Sequence, residues 1–151
     1  MPKLQFKRIP ADLAPMDLLL EADPSTEQIQ TYLKGSDIYT ALSDGKTVGV
    51  CVLTPRSEAT LELMNIAVDP TQQATGIGRR LLQFVISESR KKQAKELILG
   101  TGTFGYQLAF YQREGFRVIG IDRDFFLDNY DEPIFEHGIQ HKDMLRLQLI
   151  L

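Results

Sequence analysis

Two glycines, Gly76 and Gly78, stand between a predicted strand and a predicted helix, where their position suits the binding of an anion. Backbone N–H groups in the first turn of a helix have no internal partners, and the helix dipole is positive at that end. A pyrophosphate fits such a site, and glycines leave the backbone open to its oxygens. Arg79 and Arg80 add positive charge. A motif this short is also typical of a tight turn that packs a helix close to a sheet. The surrounding sequence is therefore needed to choose between an anion site and a turn.

The elements around this loop follow from the hydrophobic pattern. Strands are predicted over residues 4–9, 38–42, 48–53, 60–68, 97–99, 116–121 and 144–151. Helices are predicted over residues 12–20, from Ser25 to Gly35, over 76–92 and over 106–114. This order predicts one domain over residues 1–151. Its class is α/β (α+β), with a mixed sheet of about seven strands flanked by helices on both faces.

Local signals support several of these boundaries. Ser25 and Gln28 have the spacing of a capping box at the start of a helix, and Gly35 suits its end. Asp44-Gly45 between two β-prone runs predicts a hairpin. We expect an exposed sheet edge after this hairpin, and such an edge would allow a homodimer.

A second motif, Phe-Tyr-x-x-x-Gly-Phe, covers residues 110–116. The first motif reads Gln-x-x-Gly-x-Gly over residues 73–78 and follows Ile-Ala-Val at residues 66–68. Together the two motifs resemble the GNAT superfamily of N-acetyltransferases, and the resemblance covers residues 4–151. It implies acetyl-coenzyme A (acetyl-CoA) as the cosubstrate and no metal ion. It also implies transfer of the acetyl group to a primary amine, by direct attack within a ternary complex.

The resemblance further implies how the coenzyme binds. Backbone amides of the first motif hold the pyrophosphate, and the tyrosine of the second lies near the sulfur. The coenzyme-binding residues expected on this basis are Ile66, Ala67, Val68, Gln73, Ala74, Thr75, Gly76, Ile77, Gly78, Arg79, Thr101 and Tyr111. Backbone N–H groups at residues 66–68 are expected to stabilise the oxyanion, because the family splays its sheet there. The expected acceptor is a small-molecule or peptide amine.

Tyr111 is the predicted catalytic acid. When a thioester breaks, sulfur leaves as a thiolate, and a phenol within hydrogen-bond reach can give it a proton. An aromatic residue at helical spacing beside Phe110 is also typical of a hydrophobic core. The motif match favours the catalytic role.

Glu62 is the predicted general base, because an amine must lose a proton before it attacks. Alternation along the strand puts Glu62 on the same face as Met64, Ile66 and Val68. A carboxyl group in apolar surroundings holds a proton more tightly, which suits a base at neutral pH. Its position relative to Gln73 resembles that of the glutamate base in the histone-acetylating branch of the family. The alternative, an exposed glutamate on a half-solvated strand, stays open.

Two other functions are weighed against acetyl transfer. A motif Gly-x-Gly-x-x-Gly over residues 100–105 follows a strand and precedes a helix, with Asp122 and Asp124 about 20 residues further on, as in dinucleotide-binding folds. Its late position and short following helix argue against NAD(P), and so does the upstream glycine loop that it leaves without a role. The second alternative is a non-catalytic module that binds and senses acyl-CoA.

Residues 122–142 are acidic, aromatic and irregular. Phe125, Phe126 and Tyr130 are expected to anchor this segment, whose carboxylates would favour a cationic amine if it walls the acceptor site. His137 and His141 have helical spacing but lack the further ligands of a metal site.

The composition excludes several partners. A formal net charge of -3 gives no basic face for nucleic acid and no attraction to an anionic membrane. The single cysteine, Cys51, excludes an internal disulfide. We expect no signal peptide and no membrane-spanning segment, and a cytoplasmic location.

Overall fold

The computed structural model describes residues 3–151. The main sheet contains β1 (Leu4–Ile9), β2 (Asp37–Ser43), β3 (Lys46–Pro55), β4 (Thr60–Val68), β5 (Glu96–Gly102), β6 (Arg117–Asp122) and β9 (Met144–Ile150), and a small hairpin contains β7 (Phe135–Glu136) and β8 (Ile139–Gln140). The helices are α1 (Met16–Ala22), α2 (Thr26–Leu33), α3 (Ile77–Lys91), α4 (Tyr106–Arg113) and α5 (Phe125–Asn129). The order across the main sheet is β1-β2-β3-β4-β5-β9-β6. This confirms the predicted mixed α/β class.

Helices pack on both faces of the sheet, and each face has its own core. The core on the α3 and α4 face includes Tyr39, Cys51, Leu81, Leu82, Val85, Leu97, Leu99 and Tyr111. The core on the α1 and α2 face includes Leu18, Leu19, Ile29, Ile38, Val50 and Val52. Removal of such apolar side chains from water is the main driving force for this layered arrangement.

The first helical region is shorter than predicted. A 3₁₀ turn over Ala11–Leu13 precedes α1, in place of one helix over residues 12–20. Pro15 has no N–H and disfavours the helical conformation in Ala14, which is extended with φ -60° and ψ 132°. The predicted cap of α2 is confirmed, because Ser25 Oγ accepts a hydrogen bond from the Gln28 N–H at 3.2 Å. No helix within the described chain is long and apolar enough to span a bilayer.

The hairpin between β2 and β3 turns at the predicted residues. Asp44 and Gly45 have φ values of 51° and 84°, the sign that a two-residue turn between right-twisted strands requires. The edge expected after this hairpin is covered, because β1 pairs with β2 along its whole length. The outer strands of the sheet are instead β1 and β6. The homodimer itself stays a prediction.

The sheet opens between β4 and β5. These two strands are parallel and pair from Thr60–Glu96 to Leu63–Leu99, and no further. Beyond that point β4 continues to Val68 on β3, and β5 continues to Gly102 on β9. The structure therefore contains the splay that the resemblance implied, and β4 beyond Leu63 lacks a β5 partner.

A β-bulge at Met64 changes which face the residues of β4 occupy. Val52 pairs with Asn65 and Leu53 pairs with Leu63, so Met64 is left without a partner on β3. One extra residue in a strand of side-chain period two moves everything before it to the opposite face. Glu62 therefore shares a face with Asn65, and the prediction that it shares a face with Ile66 and Val68 is wrong.

Candidate active site

A cleft of about 460 Å³ lies at this opening. Three elements supply most of its wall: the end of β4, the loop into α3, and one face of α4. The residues that line it are Glu21, Ala22, Ile66, Ala67, Val68, Gln72, Gln73, Ala74, Gly76, Ile77, Gly78, Arg79, Tyr106, Gln107, Phe110, Tyr111 and Arg113. Glu21 and Ala22 end α1, so the cleft reaches from the α3 and α4 face to the α1 face.

The N-terminus of α3 points at the cleft without a cap. Within residues 3–151, no side chain caps this helix and no acidic residue lies in its first turn. Its orphan N–H groups and the positive end of its dipole are therefore available to an anion. Gly76 begins the helix with φ 86°, a conformation that glycine adopts without strain. A Cβ on Gly78 would lie 3.4 Å from Val68 Cγ2, so helix and strand are close there.

Short-range hydrogen bonds hold the loop before α3. Asp69 Oδ1 accepts a hydrogen bond from the Thr71 N–H at 2.9 Å. This hydrogen bond lowers the pKa of the Asp69 carboxyl. Gln73 Nε2 donates to the Val68 carbonyl at 3.2 Å, which ties the loop to the end of β4. Ala74 has φ 63°, an unusual left-handed conformation for a residue with a side chain. The loop is thus fixed in a shape that local sequence alone does not favour.

Tyr111 lies in the wall of the cleft and is only 8% exposed. Its ring packs edge-on against Phe110 and Phe116, with centroid distances of 5.2 and 5.8 Å. Burial raises the pKa of the Tyr111 phenol well above its usual range, and the nearby Cys51 thiol adds to the shift. The phenol therefore keeps its proton at neutral pH and is able to donate it.

Glu62 is buried, but in ionic rather than apolar surroundings. Its Oε1 accepts from Arg56 Nε at 2.8 Å, and its Oε2 accepts from Arg146 Nη2 at 2.9 Å. The prediction of apolar neighbours is wrong because the bulge turns Glu62 away from Ile66 and Val68. Glu62 does not line the cleft. It lies on the face of the sheet opposite α3, one residue before the last β4–β5 pair. Its role as a base stays a prediction.

Ten of the residues predicted to bind the coenzyme line the cleft, and two do not. Thr75 is exposed and bonds to the Gln72 carbonyl. Thr101 is buried within β5, where it pairs with Leu145 of β9. Two arginines also differ from expectation. Arg79 lines the cleft but pairs with Glu114 at 3.0 Å, and Arg80 lies 6.0 Å from the Phe6 ring centroid, on the other side of α3.

Sequence reasoning missed most of the α4 wall. Tyr106, Phe110 and Arg113 line the cleft together with Tyr111 and Gln107. The signal was present, because residues at i, i+4 and i+7 share one face of a helix. Only the motif residue Tyr111 was selected from that face, although its neighbours follow from the same period.

The glycines at residues 100–105 do not form a dinucleotide loop. Gly100 and Gly102 lie inside β5 and pair with β9. A Cβ on Gly100 would lie 2.1 Å from Met144 Sδ, and one on Gly102 would lie 2.4 Å from His141 Cε1. The space that a nucleotide would need beside these glycines is filled by the protein's own side chains, so the NAD(P) alternative is wrong.

Three comparisons place the chain among known proteins. The family model described as an acetyltransferase (GNAT) domain matches residues 34–118, more than half of the chain. The uncharacterized N-acetyltransferase YvbK of Bacillus subtilis (strain 168) is 45% identical over 136 residues, which are 89% of this chain and 88% of that protein.

Two solved structures are similar over nearly their full length. A GNAT family acetyltransferase from Elizabethkingia anophelis with acetyl-CoA bound is 42% identical, with a TM-score of 0.94 and 98% of each chain covered. A Bacillus subtilis acetyltransferase in complex with CoA is 42% identical, with a TM-score of 0.88 and 99% of each chain covered. The fold and these relatives define the class of protein, an acetyltransferase. The chain belongs to the GNAT family.

Proposed function

We propose that the protein transfers the acetyl group of acetyl-CoA to a primary amine of a small molecule or peptide, by direct attack within a ternary complex. The observation that carries this proposal is the uncapped N-terminus of α3, which borders a cleft at the place where β4 and β5 separate. The cleft extends to Glu21 and Ala22 on the other face of the sheet. The coenzyme and the amine can thus approach the opening from opposite faces.

Each step of the proposed reaction is assigned to particular groups of the protein. The first turn of α3, with Gly76 and Gly78, holds the pyrophosphate of acetyl-CoA. The amine nitrogen attacks the thioester carbonyl, and backbone groups of β4 beyond Leu63 stabilise the negative oxygen that forms. As the intermediate collapses, the C–S bond breaks and the sulfur takes a proton from the Tyr111 hydroxyl. The proton lost by the amine passes to a base, for which Glu62 stays the predicted residue.

Thermal unfolding with and without ligand tests the first half of this proposal. A ligand that binds only the native state adds about 2.7 kcal/mol of stability at about 100 times its Kd. We expect the unfolding midpoint to rise with acetyl-CoA and with CoA, and to stay unchanged with NADH. Release of CoA thiol in the presence of a broad panel of primary amines then tests transfer. Binding of acetyl-CoA without turnover of any amine would favour the non-catalytic sensor instead.

Replacement of Glu62 tests its predicted role as the base. Glu62→Gln keeps the size of the side chain and removes the proton acceptor, so we expect kcat to fall at least about 100-fold. Glu96→Gln is the matched control, because Glu96 is a hydrogen-bonded glutamate on the neighbouring strand, away from the cleft. A normal kcat with a raised acceptor KM would remove the catalytic role and leave Glu62 as the residue that positions Arg56 and Arg146.

A further inference from the structure

Two arginines flank the opening of the sheet on the face opposite α3, and Glu62 joins them. Arg56 follows β3 and Arg146 belongs to β9, and each bonds to a different oxygen of the Glu62 carboxylate. We call these three residues the arginine clamp. Two positive charges meet one negative charge in it, so the clamp has an excess of positive charge.

The clamp lies at the base of the opening. Arg146 Nη1 would lie 2.7 Å from a Cβ on Gly100, and Gly100 is the first residue of β5 after its last pair with β4. Arg56 Nη2 contacts the Sδ of Met64, the first residue of β4 after the same pair, at 3.5 Å. The two guanidinium groups therefore lie near the point where the pairing between β4 and β5 ends.

The guanidinium groups retain the capacity to bind a ligand. Their side chains are 46% (Arg56) and 28% (Arg146) exposed, whereas that of Glu62 is 10% exposed. Each guanidinium has more N–H donors than these contacts use. Its planar fork matches the two oxygens of a carboxylate.

Two carboxylates of the neighbouring strands on this face, Glu136 and Glu96, are engaged with other partners. His141 packs against Gly102 of β5, two residues beyond Gly100. Its Nε2 is 2.9 Å from Glu136 Oε1. Glu96, at the opposite end of β5, accepts from Gln148 and Thr60. Glu136 is thus partnered by His141, and the positive excess of the clamp is not cancelled by these carboxylates.

We propose that the acceptor is an amine that also carries a carboxylate, which Arg56 and Arg146 bind, so that the clamp selects amino-acid-like acceptors. This inference rests on the proposed function, because it assigns a substrate class to the same opening. A carboxylate held at the base of the opening positions the attached amine near the thioester. An acceptor with an amine and no acid lacks that anchor.

Calorimetry on the CoA-loaded protein tests the clamp without turnover. The probes are α-amino acids paired with their decarboxylated amines: tyrosine with tyramine, lysine with cadaverine, and histidine with histamine. We expect the carboxylated member of at least one pair to bind at least about 10-fold more tightly than its amine. Arg56→Gln and Arg146→Gln should remove this preference, and Arg146→Lys should restore part of it, since the charge returns without the fork.

Controls separate a binding effect from a folding effect. Arg117→Gln makes the same change of net charge on the exposed outer strand β6 and should leave the preference intact. Thermal unfolding identifies any clamp variant that fails to fold, and Arg146→Lys keeps the test valid in that case. Equal or weaker binding of the carboxylated member in every pair would overturn the inference. So would an equal loss of both members in Arg146→Gln.

Initial rates with acetyl-CoA distinguish this inference from the function on which it rests. If decarboxylated amines are acetylated as well as their carboxylated partners, acetyl transfer stands and the clamp is not an acceptor site. If the clamp selects carboxylates in calorimetry but none of the probes is acetylated, the binding site stands and the proposed transfer to amines fails for this class.

Discussion

Tyr111→Phe is expected to lower kcat about 100-fold while the Kd of acetyl-CoA changes by less than about threefold. The substitution removes one hydroxyl from a ring that is already buried between Phe110 and Phe116, so the wall of the cleft keeps its shape. We expect the lower end of the range for acid catalysis, because a thiol with a pKa of about 8.5 leaves readily even without a proton. Steady-state kinetics and calorimetric titration of acetyl-CoA give the two quantities.

The raised pKa of Tyr111 adds a second observable to this prediction. Burial favours the neutral phenol, so the proton is present at neutral pH and is lost only as the pH rises well above about 10, the ordinary value for tyrosine. The wild-type kcat should therefore show no alkaline decline due to Tyr111 up to about pH 10.

A matched control is Tyr39→Phe, which removes another buried phenolic oxygen outside the cleft. It should leave kcat unchanged. A normal kcat in Tyr111→Phe would take Tyr111 out of the reaction and leave it as a residue of the core.

The parts of the fold that were predicted correctly carry their signal locally. Asp44-Gly45 specifies its turn because the backbone there needs positive φ values. Ser25 specifies the start of α2 because its own oxygen bonds to the Gln28 N–H. Gly76 precedes α3 with φ 86° for the same kind of reason. Each of these decisions involves residues within a few positions of one another.

The errors at Glu62 come from contacts that sequence spacing does not encode. Alternation along β4 gives the right face only if the strand is regular, and nothing in the letters around Met64 marks the bulge that the pairing with β3 reveals. The partner Arg146 is 84 positions away from Glu62. The surroundings of a buried charge depend on such distant partners, which is why a carboxyl group predicted among apolar side chains lies between two guanidinium groups.

The glycines of β5 illustrate a different error, in which a sequence motif is present but the structure that it usually indicates is not. Gly100 and Gly102 have the spacing of a phosphate-binding turn, yet both pair with β9 as ordinary strand residues. Their missing side chains make room for Met144, Arg146 and His141. A glycine indicates that something approaches the backbone closely, and only the fold tells whether that is a ligand or the protein itself.

Gly78→Asp is expected to weaken the binding of acetyl-CoA at least about 100-fold, which corresponds to about 2.7 kcal/mol. The new carboxylate would lie in the first turn of α3, where the pyrophosphate is proposed to bind, and two like charges at close range cost several kcal/mol. The fold should survive. A Cβ at this position makes only ordinary contacts, the nearest at 3.4 Å to Val68 Cγ2, and an acidic residue stabilises a helix N-terminus.

Two further substitutions at Gly78 separate size from charge. Gly78→Ala adds only the Cβ and should cost little affinity for acetyl-CoA. Gly78→Asn adds nearly the bulk of aspartate without its charge, so its affinity for acetyl-CoA should lie between those of Gly78→Ala and Gly78→Asp. Gly120→Asp is the control, because Gly120 lies on the outer strand β6 with open space beside it. Since repulsion between exposed charges is screened by salt, the gap between Gly78→Asp and Gly78→Asn should narrow as ionic strength rises. If Gly78→Asp binds acetyl-CoA as the wild type does, the pyrophosphate does not lie at the N-terminus of α3, and the cleft holds the coenzyme in another way.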